Sequence, residues 1–143
     1  MSERAYRVLV PVDGSECSNR AVEFLARKAK YYAEPLEVHL LNVQHPFPGT
    51  IRGVHRQAQE AHHEEGMKAL AAARRILDEA GVPYQHHIAV GEPADTIVRY
   101  VKEKAVDQVV MGTHGRGAVV GLLLGSVASK VLQLVEVPVL LVK

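Results

Sequence analysis

Residues 112–126 read GTHGRGAVVGLLLGS, five glycines in fifteen positions. Glycine loses more backbone freedom on ordering than any other residue, so such density needs a use. Three compete: a turn that holds a phosphate, a membrane-helix contact, or loop flexibility. The phosphate reading has a physical mechanism. The first N–H groups of a helix have no intrahelical partner and sit at the positive end of its dipole. A helix beginning after Gly125 would offer such groups. Gly125 has no Cβ to keep phosphate oxygens from its N–H, and Ser126 adds a hydroxyl. Gly112 and Gly115 would let the chain turn sharply and bare further N–H groups as an anion nest. Gly117 and Gly121 are assigned to loop geometry and packing. A second chemical group stands near the N-terminus, in Pro11-Val12-Asp13-Gly14-Ser15. Asp13 there is either a ligand contact or a turn and helix cap.

Two familiar phosphate motifs are absent. A Walker A loop requires a lysine before the final Ser or Thr, and none precedes Ser126. A dinucleotide fingerprint requires a third glycine where Val120 stands, and it follows the first strand. Other candidates are weaker. His55, His62 and His63, with Gln59, could share a helical face, but without H-E-x-x-H spacing they make a poor metal site. His86 and His87 alternate along a strand and point to opposite faces. His39 and His45 are expected to be structural or exposed. Cys17 is expected to pack in a first helical turn, with no base identifiable beside it. No G-x-S-x-G elbow or other catalytic order is readable.

Five short apolar runs must position these groups: Tyr6–Val12, Leu36–Val43, Tyr84–Val90, Gln108–Met111 and Val137–Val142. Most are rich in β-branched residues; the first, second, fourth and fifth have adjacent apolar residues rather than clean alternation, as in strands buried on both faces, and the third is the weakest of the five. Helical spacing predicts a helix over 16–32, capped by Ser15 or Ser18, and another over 67–80, stopped by Gly81 and Pro83. Pro93 suits the first turn of a third, and Ser126 opens a fourth. Residues 44–54 read as a loop. Residues 55–66 are compatible with helix but lack an apolar stripe, so they are expected to be exposed, mobile or partner-dependent. Strict alternation of strand and helix implies one α/β domain over 1–143, a doubly wound five-stranded parallel sheet with helices on both faces. Ligands in such sheets bind beyond the carboxyl ends of the strands, at the switch in strand order. The ends of strands one, two and four fall there.

The whole chain fits this picture. Its 143 residues carry 17 basic and 16 acidic side chains, with no clustered positive charge of the kind nucleic acid requires. One cysteine forbids an internal disulfide and suits a reducing compartment. The longest strongly apolar stretch, 117–128, falls short of the roughly 18–20 residues of a membrane span. A cytoplasmic protein with no membrane partner is the expectation.

Gly112, two residues, Gly115, nine residues, Gly125 and Ser126 give G-x2-G-x9-G-[ST]. With VPVDGS after the first strand, LLNV in the second and VPVLLVK at the end, the chain resembles the ATP-binding universal stress proteins over its whole length. That resemblance implies an adenine nucleotide alpha hydrolase-like fold and residue roles. Asp13 would hydrogen-bond the nucleoside, and Pro11 and Val12 would line the adenine pocket. Val43 would present backbone groups to the adenine edge. Met111 and Gly112 would flank the nucleoside. Gly115, Gly125, Ser126 and Val127 would hold the phosphates. ATP is the implied cofactor, which Mg2+ or Mn2+ can accompany. A homodimer through strand 137–142 is implied as well. Slow ATP hydrolysis or self-phosphorylation would fit the family, though neither reads as the main activity. The competing function is an interaction or chaperone-like stress protein that uses no nucleotide. An ATP-pyrophosphatase lacks its S-G-G-x-D-S here, and a two-component receiver lacks its aspartate after strand three, which ends Ala89-Val90-Gly91.

Overall fold

The computed structural model describes residues 4–47, 55–116, 121 and 123–143. Five strands form one parallel sheet: β1 (Tyr6–Pro11), β2 (Leu36–Gln44), β3 (Tyr84–Val90), β4 (Gln108–Gly112) and β5 (Val139–Val142). Their order is β3-β2-β1-β4-β5, so the chain winds outward from β1 first one way and then the other. The strand that looked weakest in sequence, β3, pairs with β2 along its whole length, from Val38 opposite Tyr84 to Gln44 opposite Val90.

The adjacent apolar residues serve two cores. Val8, Val10, Val38 and Leu40 face one helical layer, with Ala21, Val22 and Leu25 of α1 (Glu16–Lys28) and Leu70, Ala73 and Leu77 of α2 (His55–Ala80). Leu9, Leu41, Val109 and Met111 face the other, with Ala94, Ile97 and Val101 of α3 (Pro93–Glu103) and Ala128 and Val131 of α4 (Ser126–Leu134). Each fully buried Leu, Ile or Val side chain contributes about 1.5–3 kcal/mol from burial. This double demand explains why β1 and β2 do not alternate polar and apolar.

Helix ends follow local chemistry. Ser15, rather than Ser18, caps α1: its Oγ accepts from the Ser18 N–H at 3.2 Å. The helix then tightens into a 3-10 turn over Ala29–Tyr31, which closes the predicted 16–32 segment early. Gly81 ends α2 in the left-handed region (φ +69°), where a Cβ would be strained.

The region 55–66 continues α2 toward its N-terminus and is mostly exposed, as expected, with His62 and Gly66 buried as the exceptions. A Cβ on Gly66 would come within 2.7–2.8 Å of three Ile88 side-chain atoms, so glycine lets the helix lie close on β3. Here contact is made by closeness, not by an apolar stripe.

On the α3 side of the sheet, polar groups form a chain across three strands. Arg7 pairs with Glu37 at 2.9 Å. Glu37 accepts from His39 Nε2 at 2.8 Å, and His39 Nδ1 shares a hydrogen bond with His87 Nε2 at 2.9 Å. The two imidazoles stack, and His87 meets the edge of Tyr100. Burial holds His87 below the usual histidine range, helped by His39, Lys104 and His86. A folded-state pKa below the unfolded value of about 6.5 means that this contribution to stability is present above pH 6.5 and is lost as pH falls below it. His87→Gln keeps a donor toward His39 but does not titrate. Its fall in Tm between pH 7.5 and 5.5 is expected to be smaller than that of the wild type. Equal falls would refute the assignment.

Candidate functional site

A cavity of about 450 Å³ opens at the carboxyl ends of β1, β2 and β4, where the strand order reverses between β1 and β4. This is the size range of small-molecule sites. Its walls contain Pro11, Val12 and Asp13 after β1, and Val43 from β2. Met111, Gly112 and Gly115 come from β4 and the loop beyond it, and Gly125, Ser126 and Val127 from the start of α4. All ten residues singled out in the sequence therefore border one space. The sequence reading named the end of β2 but gave Asn42 no role of its own, and it missed Gln44 and His45 beyond it and Pro93 and Ile97 from α3. The approach of α3 could not have been read from the sequence, because packing sets it.

Asp13 ties the two halves of the site together. Its Oδ1 accepts from the Ser15 N–H at 2.9 Å, the turn role weighed in sequence, and its Oδ2 accepts from the Arg116 N–H at 3.0 Å. Burial works to raise its pKa, but these bonds, with those from the Ser15 and Ser18 side chains, outweigh it and hold the carboxyl below the usual range. The carboxylate keeps acceptor capacity for a hydroxyl or amine. Asn42 donates to the Val12 carbonyl at 2.8 Å and accepts from Gln44 at 2.6 Å, which fixes the β2 wall beside β1.

The glycines act differently from the sequence reading. Gly112 makes no turn; it is the last residue of β4, opposite Val142. A Cβ there would lie 2.9 Å from Cys17 Sγ and 3.0 Å from the Cys17 backbone, so glycine is needed for α1 to close on the sheet. Gly115 does not adopt a positive φ; a Cβ there would collide with the Asp13 carboxylate. The Gly125 N–H is not open to a ligand, because it donates to the Thr113 carbonyl at 2.7 Å. Its missing Cβ instead lets the chain pass 3.3 Å from that carbonyl and 3.4 Å from His114 Cα. Among the described residues no side chain caps the start of α4, and its first-turn residues Ser126 and Val127 stand at the cavity wall with helix-terminal N–H groups. Gly121 has φ +91° with nothing near a would-be Cβ, so its use is conformational rather than packing. Gly117 lies outside the described residues.

Cys17 packs as the sequence suggested, its Sγ 3.4 Å from the Val142 carbonyl and 3.7 Å from Thr113 Oγ1. The histidines of α2 do not share one outward face, since His62 is buried and His63 exposed. Among the described residues, no group of three or more His, Cys, Asp or Glu could hold a metal ion. Among them, too, no helix is long and apolar enough to cross a membrane.

The family model for universal stress proteins matches residues 5–143. The chain belongs to the universal stress protein family. A relative from Methanocaldococcus jannaschii is 34% identical, covering 96% of this chain and 81% of its own length. The universal stress protein UspA of Lactobacillus plantarum shares the fold, with a TM-score of 0.81 over 99% of this chain and 100% of that one at 22% identity. A universal stress protein solved in complex with cAMP is 26% identical, with a TM-score of 0.72 and 99% of both chains covered.

Proposed function

We propose that this family member binds ATP in the cavity between β1 and β4 and acts as a nucleotide-dependent regulatory module of the stress response. The observation that carries this reading is the convergence, in one cavity, of the Asp13 carboxylate and the uncapped start of α4. The first suits a sugar hydroxyl or base amine, and the second suits a phosphate. The family relative solved with cAMP supports an adenine nucleotide as the ligand class. Pro11, Val12, Met111 and Gly112 would enclose the nucleoside, with Val43 offering its backbone to the base edge. Gly115, Ser126 and Val127 would meet phosphates, and Gly125 would shape their cradle without donating to it. Mg2+ or Mn2+ would lean on phosphate oxygens. In this reading ATP hydrolysis is at most slow. The proposed setting is the cytoplasm.

The same reading makes the protein a homodimer. β5 is an edge strand and all four of its residues are only partly buried. An edge of this kind needs cover, and a second copy pairing antiparallel would supply it.

The test is to denature the purified protein and identify any released nucleotide by chromatography. About one adenine nucleotide per chain is expected, with ATP predominating or rebinding when added with Mg2+. No release and no binding at millimolar ATP would overturn the reading in favour of a chaperone-like interaction protein.

A further inference from the structure

The cavity wall formed by β2 depends on a residue that does not border the cavity. His45 lines the wall, and its carbonyl accepts from His62 Nε2 at 3.0 Å. A carbonyl can only accept, so the His62 ring must carry its proton on Nε2. The same ring stacks on Phe47, with centroids 4.1 Å apart and planes 12° from parallel. His62 is 7% exposed, whereas Phe47 is 44% exposed. Between the two gripped residues sits Pro46, which has no N–H and confines His45 to extended backbone. On the other side of His45, the Gln44 carbonyl accepts from the Gly91 N–H at 2.9 Å. The N-terminal half of α2 has no apolar stripe, and its close approach at Gly66 and Ile88 brings His62 within reach.

We propose that His62 is a positioning residue of the cavity: by holding the His45 carbonyl and the Phe47 ring, it sets the shape of the wall made by Val43, Gln44 and His45. The effect on nucleotide rests on the function proposed above; the grip itself does not. Two substitutions separate the contacts. His62→Phe keeps a ring against Phe47 and removes the donor. His62→Gln keeps a donor and removes the ring.

Native-state hydrogen exchange on the nucleotide-free protein reads the grip directly. In His62→Phe, the Gly91 amide is expected to exchange about tenfold faster while the central Val10 amide is unchanged, and His62→Gln is expected to restore most of the protection. ATP affinity, by calorimetry, is expected to fall about 3- to 10-fold in His62→Phe, the scale of one lost hydrogen bond, and within twofold in His62→Gln. Unchanged Gly91 exchange would overturn the proposal. So would Gly91 and Val10 accelerating together, which marks a residue that only stabilises the fold, or a His62→Gln variant as impaired as His62→Phe. If the wild type binds no ATP, the nucleotide reading fails, while the exchange comparison still decides the role of His62.

Discussion

Gly115→Val is expected to abolish retention of nucleotide, with an affinity loss of about 100-fold or more. The cause is local. Any Cβ at this position would collide with the Asp13 carboxylate, which already accepts from the Arg116 N–H one residue further on. Relief requires the loop after β4 to move away from β1. That movement breaks a hydrogen bond to a charged group, worth about 1.5–3 kcal/mol, and opens the cavity between Asp13 and the start of α4. Valine adds two methyl groups to the same gap. Gly121→Ala is the control: a Cβ there meets nothing, so the cost is confined to its positive φ, and affinity should change by no more than a few-fold. Calorimetric titration with ATP and Mg2+ measures both. Wild-type affinity in Gly115→Val, with its fold intact by circular dichroism, would remove the junction of Asp13 and the β4 loop from the binding site.

Leu141→Asp is expected to convert the proposed β5-paired dimer to a monomer in sedimentation velocity and to lower Tm by roughly 5–15 °C. Leu141 lies at the sheet edge, opposite Met111 of β4, and packs against the core between the sheet and α3 and α4. A carboxylate there has no cationic partner in that cluster, and burying it costs about 2–4 kcal/mol. At this chain length, 1 kcal/mol corresponds to about 2–4 °C. Val139→Asp, on the same face, should behave alike. Sedimentation well below Tm separates loss of the dimer from loss of the fold. A profile identical to the wild type would count against pairing through β5.

Much of the fold was legible because its causes are local or periodic. Adjacent apolar residues at Val8-Leu9-Val10 and Leu40-Leu41 can be satisfied only by burial on two faces, and the alternation of elements then leaves little besides a wound parallel sheet. Gly81, Pro93 and Ser15 mark helix ends through their own backbone and side-chain chemistry. The grouping of the site residues was legible for the same reason: the exits of β1, β2 and β4 must meet at the switch in strand order.

What each residue does there was decided by the tertiary structure. Spacing alone cannot show that the Gly125 amide is taken by Thr113, that Gly112 makes room for Cys17, or that Gly115 makes room for Asp13. Nor can the composition of 55–66 reveal that His62 turns inward to the exit of β2. These contacts join residues 12 to 102 positions apart, and they depend on how closely two surfaces approach, to within a few tenths of an ångström. A sequence pattern sets which surfaces meet, because periodicity determines faces. Only packing sets the distance between them, and that distance determines whether a glycine serves a ligand or a neighbour.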